Sequence, residues 1–277
     1  GQTLTVSAVA GGTVGVQFTL ASGALLTLNS DGTFSYDPNG QFEYLSLGEA
    51  ATDSFTYTIS DTETATDTAT VTVTITGVNA APTVSASVSS GVTDADGAYS
   101  LNLLTGASDV DVSNVLNVSG LTLISGDAAG ITVNGNTLDV DPDAYAGLYT
   151  GETEVVSYSY IVTDSNGGTV SQTATITIAG VDDVPTVSAA LSSTVTENDG
   201  TYSLDLLAGA EDTDANDTLN VSGLTLLSGN AAGITVNGNT LDIDPGVYNS
   251  LAEGESEVVS YSYSVTDANG NTVAQTA

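Results

Sequence analysis

One block of this chain occurs twice. Aligning Pro82-Thr-Val-Ser-Ala with Pro185-Thr-Val-Ser-Ala sets an offset of 103 residues, and the register holds without a gap to Ala277, with 65 identities over 93 paired positions. A duplicated module is the economical explanation, and it restricts the fold to something that about 100 residues build and then stack. The same offset pairs Gly48-Glu49 with Gly151-Glu152 and Asp61 with Asp164. Residues 1–81 therefore read as the back portion of a more diverged copy, 82–184 as a full module, and 185–277 as a third module whose last strand is absent. The expectation is a window on a longer chain, or a subunit whose neighbours supply the missing strands.

Within a module, β-branched and aromatic residues alternate with Ser and Thr, as in Val155-Val-Ser-Tyr-Ser-Tyr-Ile-Val-Thr163 and Ala69-Thr-Val-Thr-Val-Thr-Ile75. A period of two puts successive side chains on opposite faces of a strand. Asp31-Gly32, Asn39-Gly40, Asp96-Gly97, Asn134-Gly135, Asn166-Gly167, Asn237-Gly238 and Asn269-Gly270 punctuate the strands as turns. No stretch carries a helical period. The pattern predicts an all-β chain of tandem immunoglobulin-like or cadherin-like β-sandwich modules in an extended array. Tyr158 and Tyr160, two apart, are expected to share a core face.

The 277 residues contain no Lys, Arg or His against 34 Asp plus Glu, a formal charge of −34. No side chain can neutralise a carboxylate, so clustered acids must be screened by salt or bound cations. Phosphate backbones and anionic lipid are gripped by Lys and Arg, so nucleic acid and polybasic membrane contact are excluded as partners. No apolar run is long enough to span a bilayer, and no leader is recognisable, which predicts no direct membrane insertion. The chain offers no site to a trypsin-like protease and lacks Met, Cys and Trp, the most oxidisable side chains. Both suit a long life outside a cell.

The segments Leu25-Leu-Thr-Leu-Asn-Ser-Asp-Gly-Thr-Phe-Ser-Tyr-Asp-Pro-Asn-Gly40, Gly48-Glu-Ala-Ala-Thr-Asp-Ser-Phe-Thr-Tyr-Thr-Ile-Ser-Asp61 and Ile75-Thr-Gly-Val-Asn-Ala-Ala-Pro82 resemble VCBS and related cadherin-like repeats of giant bacterial RTX-type adhesins and biofilm matrix proteins. The resemblance spans essentially the whole chain and is strongest over residues 20–82. It implies a secreted, extracellular, cell-surface stalk, often calcium-dependent. Its partners would be neighbouring repeats of the same or a like chain, with surface glycans or other cells reached through further domains.

Oxygen-rich loops are the candidate sites. Asp109-Val-Asp111-Val-Ser-Asn114 and its copy Asp212-Thr-Asp214-Ala-Asn-Asp217 carry acidic or amide oxygens at i, i+2 and i+5, a spacing that a tight loop can converge on one Ca2+ ion. The same residues also serve ordinary turn chemistry. The oxygen spacing persists while Val110 becomes Thr213 and Ser113 becomes Asn216, which favours the ion. A second candidate is the connector Val181-Asp182-Asp183-Val-Pro185, which resembles the acidic linkers of cadherin-like arrays and lies near Glu197, Asn198 and Asp199 in sequence. Asp164 and Asp267, in Val-Thr-Asp turns, are further candidate ligands. The first connector, Val78-Asn-Ala-Ala-Pro82, lacks both carboxylates, although Asp94 and Asp96 follow it. The first hinge is thus expected to bind calcium more weakly and to bend more than the second.

Catalysis is not expected. Glu152 with Glu154, or Asp139 with Asp141, could pair for acid-base work on a glycoside, but no His, Cys, Lys or Arg is present to tune them. Carbohydrate recognition through exposed Tyr145, Tyr149 or Tyr248 stays open, as does self-assembly into a filament, sheath or surface layer by strand exchange. The sequons at Asn117, Asn216 and Asn220 read as chance patterns.

Overall fold

The computed structural model describes residues 2–277. Three β-sandwiches follow one another along the chain. In the first, β1 (Thr5–Val9), β5 (Ala50–Ser60) and β6 (Thr66–Thr76) form one sheet in the order β1-β5-β6. β2 (Phe18–Thr19), β3 (Leu25–Leu28) and β4 (Phe34–Asp37) form the other. Their inner faces enclose Val6, Val9, Leu26, Leu28 and Phe55. The β3–β4 hairpin turns where the Asp31 carboxylate accepts the Thr33 N–H and hydroxyl, with Gly32 at φ +89°. That backbone angle is cheap for glycine and strained for other residues.

The middle module is the most complete. A clip of β7 (Thr83–Val84) and β10 (Ala107–Ser108) closes its entrance. One sheet has the order β11 (Asn117–Ser125), β14 (Thr153–Thr163), β15 (Thr169–Ala179), β8 (Val88–Thr93). The facing sheet is β12 (Ile131–Asn134), β13 (Thr137–Val140), β9 (Tyr99–Asn102). β8 runs parallel to β15, so Thr93 at its end lies beside Ala179, where the module exits. Alternation places Val156, Tyr158, Tyr160 and Val162 in the core, with Tyr160 only 2% exposed. The Tyr160 hydroxyl donates to the Leu103 carbonyl across the sandwich at 2.7 Å, and Tyr263 does the same to Leu206 at 2.8 Å in the third module.

The third module repeats this frame with β16 (Thr186–Val187), β17 (Tyr202–Asp205), β18 (Ala210–Glu211), β19 (Asn220–Ser228), β20 (Ile234–Asn237), β21 (Thr240–Ile243), β22 (Ser260–Thr266) and β23 (Thr272–Thr276). One element differs. Leu191–Thr196, the counterpart of β8, forms no strand and joins β23 through the Leu191 N–H to the Thr276 carbonyl. Ser193, Val195, Leu241, Val258, Val259 and Ala277 line a groove of about 720 Å³ beside it.

Burial of the Tyr160 hydroxyl pushes its pKa up to about 12, above the ordinary tyrosine value near 10. A folded-state pKa that is raised contributes stability in full below the unfolded value, and that stability drains as pH climbs through the folded one. The middle module should therefore lose stability between about pH 10 and pH 12. Tyr160→Phe, measured by urea denaturation, should cost about 1–2 kcal/mol at neutral pH by stranding the Leu103 carbonyl, and should reduce the alkaline loss.

Candidate metal centre at the second junction

The connector between the second and third modules is shaped before any ligand enters. Gly180 N–H donates to the Glu152 carbonyl, and a Cβ at this position would lie 2.4 Å from the Tyr149 carbonyl oxygen, so the chain can leave the module this tightly only at glycine. Gly77 plays the same part at the first junction, against Ser46 and Leu45. The Val181 N–H then donates to Asp94 Oδ1 at 3.1 Å, and the Asp183 N–H donates to Asp214 Oδ2 at 2.9 Å. Asp182 and Asp183 are thereby held between the exit of one module and a loop of the next.

That loop converges its acids by local hydrogen bonds. Asp214 N–H donates to Asp212 Oδ1, and Asp217 N–H to the Asp214 carbonyl, which curls residues 212–217 so that their carboxylates face one space. Asp267 comes from the β22–β23 turn. Its Oδ1 accepts three backbone N–H groups, from Asn269, Gly270 and Asn271, and its Oδ2 is left for something else. Carboxylate oxygens of Asp182, Asp214 and Asp217 lie within 4.8 Å of one another, as do those of Asp212, Asp217 and Asp267. Asp217 belongs to both groups. The connector residue Asp182 also accepts the side-chain amides of Asn269 and Asn271.

Among the described residues, six buried carboxylate oxygens have no hydrogen-bond partner, and five of them are here: Asp94 Oδ2, Asp212 Oδ2, Asp214 Oδ1, Asp217 Oδ2 and Asp267 Oδ2. Burying an unpaired anion is costly, and this sequence holds no cationic side chain to pair with it. Burial and then the neighbouring carboxylates of Asp214, Asp94, Asp212 and Asp182 raise the pKa of Asp183. Burial followed by Asp212, Asp214, Asp267 and Asp182 raises that of Asp217. Asp267 is lowered on balance: burial is the largest influence and opposes ionisation, but hydrogen bonds from Asn271, Gly270 and Asn269 together outweigh it. An all-oxygen, strongly anionic donor set suits a hard divalent cation, and its irregular, loop-borne geometry suits Ca2+ better than Mg2+. Asp182, Asp212, Asp214, Asp217 and Asp267 would hold it.

The structure divides the sequence candidates. Asp109, Asp111, Asn114 and Asp164 assemble at the first junction, around Asn79. Glu197, Asn198 and Asp199 do not join the second junction. Glu197 and Asn198 lie along the groove at the far end of the third module, and Asp199 braces the Thr196 N–H. Sequence proximity misplaces them, because the segment in between runs the length of the sandwich. Conversely, Asp94 follows the first connector in sequence but sits at the second, 87 residues from its partner Val181. The parallel β8–β15 pairing carries it there, and its kinship with Glu197 at the repeat offset was the available signal.

Of the aromatic and paired-acid candidates, Tyr145, Tyr248, Asp139 and Glu154 are engaged in hydrogen bonds within their modules. Tyr145 is buried, 7% exposed, and its hydroxyl donates to Asp127 and accepts from Gly130; Tyr248 makes the same bonds with Asn230 and Gly233. Asp139 accepts from Ser100 and Asn134, and Glu154 from the Asp127 N–H.

Residues 1–77 match the family described as a bacterial cadherin-like domain, 78–179 a cadherin-like domain, and 182–277 a bacterial Ig domain. These families are non-enzymatic structural or adhesion modules typical of extracellular proteins. None of the curated proteins matches the sequence. Among solved structures, extracellular cadherin domains 3–6 of protocadherin gamma B2 align over 99% of this chain and 66% of their own length, at 14% identity and a TM-score of 0.41. The chain thus spans about two thirds of that structure. Mouse cadherin-23 EC22–24 aligns over 99% and 83%, at 16% identity and 0.43, and human CDH23 EC21–23 over 99% and 88%, at 11% and 0.49.

Asp217→Asn provides a sign test of the site. In calcium it should weaken ion binding by roughly tenfold or more, the scale on which ligand charge tunes such sites, and should lower the melting temperature of the third module. In chelator the same change removes one of several repelling acids and should raise that temperature. Isothermal titration and calorimetry would read both, and a variant destabilised equally in the two buffers would remove the metal from this site.

Proposed function

We propose that this tandem of cadherin-like and Ig-like modules is a spacer: a stalk or fibre segment of a large secreted bacterial surface protein of the VCBS class, an adhesin or matrix protein, stiffened by calcium. The single observation that carries the reading is the placement of five partnerless carboxylate oxygens at the covalent connection between two modules. A divalent ion there ties the connector residue Asp182, whose neighbour Val181 is held to the preceding module by Asp94, to the entry loop and the β22–β23 turn of the next. Carboxylates that push the modules apart then hold them in one orientation. The acidic surface suits this role, since like-charged rods repel one another and stay dispersed.

Small-angle scattering of the whole chain tests this reading: the maximum dimension should be larger and the profile better defined in calcium than in chelator, and identical profiles would end it.

A further inference from the structure

The repeat offset lets the two junctions be compared position by position. Asp182, Asp183, Asp217 and Asn271 of the second correspond to Asn79, Ala80, Asn114 and Gly168 of the first, while Asp212, Asp214 and Asp267 correspond to Asp109, Asp111 and Asp164. Six acids at these positions thus become three, and two of the lost carboxylates are replaced by amides, which donate hydrogen bonds where a carboxylate cannot.

The amides are used in that way. Asn79 Nδ2 donates to Asp164 Oδ2 at 2.9 Å, joining the connector to the middle module. Asn114 Nδ2 lies 3.2 Å from Asn79 Oδ1, 3.3 Å from Asp109 Oδ2 and 3.2 Å from Asp111 Oδ2. The Ala80 N–H donates to Asp111 Oδ2 at 2.8 Å, and Asn166 Nδ2 to Asn114 Oδ1 at 2.6 Å. Where the second junction leaves Asp212, Asp214, Asp217 and Asp267 each with a bare buried oxygen, the first leaves one, Asp111 Oδ1. Burial works against ionisation of Asp164, yet the Asn79 amide and the backbone N–H groups of the turn outweigh it and hold its pKa below the usual carboxylate range.

Two further features bind the first pair of modules directly. The Ser113 N–H and hydroxyl both donate to Ser46 Oγ, at 3.3 and 2.5 Å, and the Val112 N–H donates to the Tyr44 carbonyl at 3.3 Å. Ser46 is 2% exposed. At the second junction the equivalent loop makes one such contact, Ala215 N–H to Gly147 at 3.4 Å. Gly168 also has no room for a side chain: a Cβ would lie 2.9 Å from Ala81 Cα and from Asn79 Nδ2. The first connector is pressed onto the turn, whereas its counterpart at the second junction leaves space for Asn271.

The geometry points to an ion-independent latch at the first junction: Asn79, Ala80 and Asn114 close by hydrogen bonds the same frame that the second junction closes with a cation. The contrast between hinges rests on the calcium reading above; the rigidity of the first does not. A first hinge that bends more, as the missing carboxylates suggest from sequence, is replaced by one that keeps its angle when calcium is withdrawn. The chain then has one fixed joint and one switched joint, so calcium loss would fold it at a single place instead of softening it throughout.

The chain has no cysteine, so nitroxide labels can be placed cleanly at Thr70, Thr173 and Thr276, which are exposed and related by the repeat offset. Electron–electron double resonance between labels at 70 and 173 should give one narrow distance distribution in calcium and in chelator alike. The pair at 173 and 276 should be narrow in calcium and broad in chelator. A 70/173 distribution that broadens in chelator overturns the latch, even if the second hinge behaves as expected. A 173/276 pair that ignores calcium overturns the metal reading and leaves the latch to be judged on its own pair. The variant N79D/A80D/N114D should convert the first hinge to the second type, broad in chelator and narrowed by calcium. If that variant stays narrow in chelator, these residues are not the latch.

Discussion

A chain with 34 acids and no cationic side chain has to answer every buried carboxylate with an N–H or O–H donor, or with an ion from outside. Most acids here are answered locally. Asp31 takes the Thr33 hydroxyl and N–H, Asp96 the N–H and hydroxyl of Thr93, and Asp139 the side chains of Ser100 and Asn134; in each case these bonds lower the pKa. Asp53 accepts from Ser22 and Tyr36, and burial together with that carboxylate raises the Tyr36 hydroxyl well above its ordinary value. The abundance of Ser, Thr and Asn in the sequence is therefore the structural complement of its acidity.

The same requirement explains why the junctions matter most. Within a sandwich the backbone offers turn N–H groups to each acid, as at Asp267 Oδ1. Between sandwiches there is one strand of connector, and few donors to share. Acids placed there must import a cation or be replaced by groups that bring their own protons. The two junctions set two kinds of group on one backbone frame: acids with partnerless oxygens at Asp94 and in the 212–217 loop, and hydrogen-bonding amides at Asn79 and Asn114.

Much of the fold was legible along the chain. The repeat, the strand period and the burial of Tyr158 and Tyr160 follow from local spacing, because a strand turns its side chains by a fixed period whatever it packs against. The Asp212–Asp217 loop was legible for the same reason, since its convergence is made by hydrogen bonds within six residues. Asp94 and Glu197 were not, because their place depends on which strand pairs with which. Likewise the sequence showed where acids were missing from the first connector, but not that amide donors had taken over their work.

By itself, then, the sequence determined an all-β, repeated, polyanionic chain and the short loops that gather oxygen ligands. Those properties reside in residue type and near-neighbour spacing. Tertiary structure alone decided which acids from distant segments share one buried space, which carboxylate oxygens go without a partner, and which junction is joined by side-chain amides. The physical reason is that the parallel β8–β15 pairing and the stacking of sandwiches bring together residues almost a full module apart, and no local pattern records that encounter.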